Sequence, residues 1–393
     1  MYACVGDSVS WIVILIVDCC CVLWCVVICC NCGIKMKMCK LTYLSHLFSV
    51  SSHHADSSAK KFVGWPITPG FEFSGVVVDA GGDVPGRDDP LARGTRVVGV
   101  TMFGGYSTHV LVPRAQLLPL PRNIPPQIAA GLPCAVLTAW YALHLLATPG
   151  TSPGGREGSG RMRSCLIHSA AGGVGSMIAR LARASGRWHP IVGVVGSPHK
   201  VPVLEATGCC DVIVCKRPSG DAGSSHGERR DSKRRATVVE DASWWAQVEE
   251  CCPNGYDAVF DANGSATFQH SYDHLKPEGR LVVFGFHTML PKQGGRLTPC
   301  HWVRMAWSWL RSPTFDPFDM VPSNKSVMAF NLSFLFDRTD LFAEVMGRVL
   351  DMVDRGELGE LPEPALYKLN DVARAHADIE SGMTTGKLVL DAR

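Results

Sequence analysis

The chain has 393 residues, 46% hydrophobic and 19% charged, with a formal net charge of +2. That length suits two or three domains, and the composition suits a globular protein with a sizeable core. The near-neutral balance gives no general pull toward nucleic acid or an acidic substrate.

Nine of the 17 cysteines lie in the first 40 residues, from Cys4 to Cys39, without an even framework of spaced pairs. A disulfide-stapled secreted fold is therefore not expected. Trp11 to Cys30 is a 20-residue run, apolar except for Asp18 and long enough to cross a bilayer. Lys35, Lys37 and Lys40 follow it, so an anchored chain would keep its body cytoplasmic. Asp18 near the middle costs about 2.5–3.5 kcal/mol on insertion scales. No basic region precedes the run and no small-residue cleavage site follows, so it does not read as a signal peptide. Two further readings stand beside the anchor: a misassigned start, since translated non-coding DNA yields such Cys/Val/Leu/Trp mixtures, or some other role. Cys29 and Cys32 lack a second ligand pair at zinc spacing. Ser49 to Ser58 reads as a flexible lead-in, and the folded body is expected from about Lys60.

From Ile67 to Pro121 short strands alternate with glycine turns: Phe71 to Val78, Gly94 to Val100, and Tyr106 to Val112. Such spacing suggests a small β-barrel. Ile128 to Leu146 has helical spacing, and Thr148 to Gly160 is a Gly/Pro/Ser-rich surface loop. An alternating pattern then begins: strand Cys165 to Ile167, helix Val174 to Ser185, strand Ile191 to Val195, helix Lys200 to Thr207, strand Asp211 to Val214. Residues 217–240 form a polar, basic insertion. Its Arg229-Arg230 and Lys233 to Arg235 read as a solvated loop, since no aromatics are interleaved and acids dilute the charge. Helix Asp241 to Glu250, strand Ala258 to Asp261, helix Ala266 to Leu275 and strand Arg280 to Phe284 continue the alternation. Strand Val327 to Leu335, helix Leu341 to Arg355 and strand Leu388 to Leu390 complete it. The pattern predicts a parallel, doubly wound α/β sheet.

Ser169-Ala170-Ala171-Gly172-Gly173-Val174-Gly175 joins the first of these strands to its helix. Glycines there let backbone N–H groups approach a diphosphate at a helix N-terminus, so the turn is a candidate dinucleotide site. An NAD site places Asp or Glu about 20 residues on, to accept from the ribose 2′-hydroxyl. Here that region is Gly196-Ser197-Pro198-His199-Lys200, with no acid. Ser197 can donate to a 2′-phosphate and Lys200 can supply charge, which favours NADPH over NADH.

The body resembles the zinc-free quinone oxidoreductase branch of the medium-chain dehydrogenase/reductase superfamily. The resemblance runs from about Trp65 to Asp391, through Pro69 to Gly75, Gly94 to Val97, Leu132-Pro133, Leu137 to Tyr141 and His168 to Gly175. It continues through Gly196-Ser197 with Lys200, Phe284-Gly285, Glu380 to Gly382 and Gly386 to Leu390. Trp302 to Pro317 followed by Phe330 to Leu335 is similar to the vesicle amine transport protein-like (enoyl reductase domain) group.

The resemblance implies a Rossmann domain inserted in a GroES-like β-barrel catalytic domain. Residues 61–135 and 336–393 would form the catalytic domain, 136–335 the NADPH-binding domain, and 1–60 a leader outside the pattern. It further implies that Thr138 lies near the nicotinamide, and that Ala170, Gly172, Gly173, Val174 and Gly175 hold the diphosphate. Ser197 and Lys200 would hold the 2′-phosphate, Phe284, Gly285, Phe330, Asn331 and Leu332 would line the nicotinamide wall, and Lys387 would face the cleft. The implied activity is NADPH-dependent reduction of a quinone or an activated C=C such as an enone, by a cytoplasmic homodimer without zinc or nucleic acid. The alternative is an impaired nucleotide-binding protein with a membrane-associated or assembly role, held through residues 11–30.

Three departures stand out. Thr95 replaces a usual Asp, and Cys215 and Lys216 stand where a Tyr near the adenine is usual. The family's first strands and its Asn-Pro…Arg…Gly…Tyr segment find no counterpart in residues 1–60, so those strands are expected to be missing. Where the zinc branch has Gly-His-Glu this chain has Gly70-Phe71-Glu72, and His168 reads as a packing residue. No catalytic acid is singled out; Tyr106, Tyr141 and His109 are candidates by type.

Overall fold

The computed structural model describes residues 11–18, 68–80, 89–147, 162–217, 237–239, 244–287, 307–308, 310–335 and 338–392. Cys29 and Cys32, the 49–58 lead-in, the 148–160 loop and the basic clusters of the insertion lie outside the described residues.

The N-terminal third builds a five-stranded sheet from β1 (Trp11–Asp18), β2 (Glu72–Asp79), β3 (Arg96–Val100), β4 (His109–Pro113) and β5 (Leu117–Pro119), in the order β4-β1-β2-β3-β5. Alternation along β2 puts Phe73 and Val77 into a core with Val97, Val110, Val112 and Leu117. β1 is the departure from expectation. Trp11–Asp18 is neither a spanning helix nor a bystander: it pairs antiparallel with β2, Ile16 opposite Gly75, and with β4, Ile12 opposite Val112. β1 thus lies between β2 and β4 in the order of the sheet, although the first strands were expected to be missing. Five of its eight residues are β-branched, which suits a pleated backbone better than a helix. Among the described residues no helix is long and apolar enough to cross a membrane.

The second sheet has seven strands: β6 (Arg163–Ile167), β7 (Trp188–Val195), β8 (Val212–Cys215), β9 (Thr237–Val239), β10 (Tyr256–Asp261), β11 (Leu275–Val283) and β12 (Ser326–Ala329). All its pairings are parallel, in the order β12-β11-β10-β6-β7-β8-β9. The chain runs outward from β6 to β9, then returns to the other side of β6 and runs out to β12. That reversal beside β6 is the switch point of a doubly wound α/β fold, where the crevice opens at the carboxyl ends of the strands. Leu166, Ile191, Val192, Val194 and Phe260 are fully buried or nearly so, as a parallel sheet covered on both faces requires.

The helices are α1 (Pro126–Ala130), α2 (Pro133–Trp140), α3 (Gly173–Ser185), α4 (Val201–Glu205), α5 (Trp244–Cys251), α6 (Ser265–Asp273), α7 (Pro317–Ser323), α8 (Thr339–Asp354) and α9 (Val372–Ser381). The single helix expected over Ile128 to Leu146 divides. Pro133 cannot donate into a preceding turn, so it starts α2 rather than extending α1. After Trp140 the helix widens to a π-helical stretch, Tyr141–Ala147. The strand expected over Val327 to Leu335 also stops early, at Ala329. The Asn331 side-chain oxygen accepts from the Ser333 amide at 3.0 Å, turning the backbone into a 3-10 turn over Leu332–Leu335. Finally β13 (Ala365–Lys368) and β14 (Leu388–Asp391) pair in parallel near the C-terminus.

Candidate functional site

The crevice is built on the turn between β6 and α3. Ser169 takes φ 53°, and its carbonyl accepts from Gly172 N at 2.9 Å. Ala170 N donates to Val194 O at 3.0 Å, pinning the turn to β7. α3 starts at Gly173, and no side chain caps its N-terminus. First-turn N–H groups there have no intrahelical acceptor and lie at the positive end of the helix dipole. A Cβ on Gly175 would lie 2.5 Å from Ser169 O, so only glycine lets α3 approach its own turn this closely.

The C-terminal segment closes over this turn. Gly386 N donates to Ala171 O at 3.0 Å, and a Cβ on Gly173 would meet Lys387 Cδ at 2.6 Å. Lys387 Nζ donates to Glu72 Oε1 at 2.7 Å, while Glu72 Oε2 accepts from Cys134 N, at the start of α2, at 2.7 Å. Glu72 is completely buried. A carboxylate on β2, an ammonium ahead of β14 and a helix N-terminus therefore meet under the glycine turn.

The remaining expected residues gather at the carboxyl edge of the sheet. Phe284 N donates to Asp261 O at 3.2 Å and Phe330 N to Val283 O at 3.1 Å. Phe284 and Gly285 thus follow β11, and Phe330, Asn331 and Leu332 follow β12, on the glycine-turn side. Thr138 is buried on α2. One turn on, the Tyr141 ring lies 4.8 Å from Phe330, and Phe284 lies 6.3 Å from Phe330. Val174 is half-buried in the first turn of α3. Ser197 is buried after β7; Lys200 Nζ donates to Gly382 O at 2.6 Å.

Among the three acid candidates, Tyr106 is buried with Ala375, Leu388 and Leu390, and His109 is exposed on β4. Tyr141 alone packs against the residues after β12. One further residue at this edge, not singled out by any motif, is Arg217. Its Nε donates to Gly196 O at 2.9 Å. No group of three or more His, Cys, Asp or Glu able to hold a metal occurs among the described residues.

His168 follows β6 and sits in a buried network. Its Nε2 lies 3.0 Å from Ser271 Oγ, which donates to Asp261 Oδ2 at 2.8 Å. Trp244 and Trp245 meet its ring edge-on, at 5.9 and 5.6 Å. Burial pushes its pKa down to about 4, with Asp261 pulling the other way. His144, whose ring lies tilted against Trp140 with centroids 4.1 Å apart, is likewise pushed down to about 4 by burial. The unfolded chain takes up protons below about pH 6.5 that these native imidazoles refuse. Their contribution to stability is whole above that pH and is lost as pH falls toward 4. Urea unfolding should show a free energy that declines from pH 6.5 to 4; a flat profile across that window would refute this.

The family model for the alcohol dehydrogenase GroES-like domain matches residues 27–122, and that for zinc-binding dehydrogenase matches residues 234–390. The synaptic vesicle membrane protein VAT-1 homolog of Danio rerio is 25% identical over 363 residues, which is 91% of this chain and 63% of that protein. The chain thus spans under two thirds of that relative's length. Escherichia coli quinone oxidoreductase complexed with NADPH superposes with a TM-score of 0.62 at 18% identity, covering 100% of this chain and 94% of that one. CurK enoyl reductase gives a TM-score of 0.62 at 18% identity, covering 99% and 93%. These two likenesses are of fold.

Proposed function

Because the chain belongs to the zinc-free quinone oxidoreductase and VAT-1-like group of the medium-chain dehydrogenase/reductase superfamily, we propose that it is an NADPH-dependent reductase of quinones or activated C=C bonds. The observation that carries this reading is the glycine turn itself: an uncapped α3 N-terminus at the sheet's switch point, beside a β7 end that offers no acid. The residues present fit the nucleotide. A side chain on Gly175 would push α3 off its own turn, and the groups after β7 include the Ser197 hydroxyl and the Lys200 ammonium.

In this reading the first-turn amides of Gly173, Val174 and Gly175 hold the diphosphate, Ala170 and Gly172 set the shape of the turn through their amide bonds to Val194 O and Ser169 O, and Ser197 and Lys200 hold the 2′-phosphate. NADPH, when bound, supplies the hydride. Thr138, Phe284, Gly285, Phe330, Asn331 and Leu332 shape the wall, orient the acceptor and exclude water. Lys387 acts on the turn from behind, through its stem on Gly173 and Gly131 and its ion pair with Glu72. The described cysteines, Cys134, Cys165, Cys209, Cys210, Cys215, Cys251 and Cys252, are free thiols, which supports a reducing, cytoplasmic setting. A homodimer is supported by β12, which ends the order of its sheet, with Phe318 and Val321 of α7 exposed nearby.

NADPH oxidation by the full chain, offered a panel of quinones and α,β-unsaturated ketones, tests the activity. Turnover of at least one acceptor is expected. Tight NADPH binding with no acceptor reduced would overturn the enzyme in favour of a nucleotide-binding assembly protein. Sedimentation of the same preparation should give a dimer, and a monomer would refute that part.

A further inference from the structure

In a site built for a free ribose 2′-hydroxyl, a carboxylate at the end of the second strand accepts its hydrogen bond. Here that strand is β7 and the next residue is Gly196. A Cβ placed on Gly196 would find Arg217 Nη2 as its neighbour, at 3.9 Å. The space an acid would enter is thus bordered by a guanidinium, and the charge expected of an NAD site is inverted there.

The placement follows from the ladder. β8 pairs with β7 up to Val195 opposite Cys215, and Lys216 N then donates to Val195 O at 2.9 Å. Arg217 comes next, alongside Gly196. The Cys215 thiol donates to Arg217 O at 3.1 Å, and Arg217 Nε donates to Gly196 O at 2.9 Å. Neighbouring side chains in extended backbone diverge. Lys216 lies over the Trp244 ring, 4.4 Å from its centroid, whereas Arg217 turns to the Gly196 side and is exposed. Bonding through Nε leaves the Nη edge as a fork of donors, the geometry that matches a phosphate in two places. Lys200, the cation expected here, has its ammonium on Gly382 O, so its charge is tethered to the turn after α9.

We infer that Arg217 is a specificity-determining residue, whose guanidinium holds the 2′-phosphate of the nucleotide together with Ser197 and Lys200. This rests on the reading of the glycine turn as an NADPH site and adds a residue to it.

The test is equilibrium binding, followed by intrinsic tryptophan fluorescence on the full chain, with NADPH, NADH, 2′,5′-ADP and 5′-AMP. The proteins compared are the natural chain, Arg217→Ala and Arg217→Lys. Arg217→Ala should weaken NADPH and 2′,5′-ADP about tenfold while leaving NADH and 5′-AMP within twofold, and Arg217→Lys should recover part of the loss. If Arg217→Ala binds NADPH as tightly as the natural chain, or weakens NADPH and NADH together, the inference falls and the nucleotide site stands. If the natural chain binds neither dinucleotide, the site reading falls and the inference with it. An exposed side chain leaves folding unaffected, so matching urea midpoints should accompany the binding data.

Discussion

Replacing Lys387 with Met is expected to destabilise the protein by about 3–5 kcal/mol. The ammonium donates to Glu72 at 2.7 Å, and the two side chains are 16% and 0% exposed. Removing it takes the ammonium away from a wholly buried carboxylate that also accepts from the Cys134 amide. An uncompensated buried charge costs far more than the net worth of the pair, because the desolvation already incurred is no longer offset. The double variant Glu72→Leu with Lys387→Met removes both charges and should recover much of the loss. Urea unfolding of the two single variants and the double variant checks the cycle. A loss below about 1 kcal/mol for Lys387→Met would mean the pair carries little of the interface, contrary to the burial seen.

Gly175→Ala is expected to weaken NADPH binding by at least about tenfold and to cost about 1–3 kcal/mol of stability. The new methyl would lie 2.5 Å from Ser169 O and 2.9 Å from Ala170 Cα. Both are backbone atoms, so the turn must move rather than a side chain swing aside, and the amides that face the diphosphate move with it. Gly347→Ala is the matched control. Gly347 lies inside α8, and a Cβ added there would meet nothing within 4 Å, so alanine should stabilise by about 1 kcal/mol. Calorimetric titration with NADPH separates the two. Equal affinity in Gly175→Ala and the natural chain would sink the assignment of this turn to the nucleotide.

The candidate site was legible in the sequence where its logic is local. Cys165 to Ser185 reads as strand, glycine turn and helix because each step depends on neighbouring residues: apolar side chains, backbone sterics at glycine, small residues on a helix. Ser197 and Lys200 were reachable by counting along the chain from that turn. The legible part shrinks where a signal has two physical meanings. Trp11 to Cys30 has the length and hydropathy of a membrane span, yet Trp11–Asp18 forms β1, and its β-branched residues were the available hint. The strand expected to run on to Leu335 was cut short by Asn331, whose side chain competes for a backbone amide.

By itself, then, the sequence determined the alternation of strands and helices, the glycine turn and the absence of an acid after β7. These are consequences of short-range sterics and of periodicity in the chain. Only the tertiary structure decided what each charge does. Lys387 meets Glu72 across 315 residues because β14, β2 and α2 converge beneath the turn. Arg217 reaches Gly196 because β8 pairs with β7 in one register. A charged side chain is compatible with solvent, an ion pair or a ligand until packing fixes its neighbours, since the energy of a charge depends on burial and on partners brought from elsewhere in the chain.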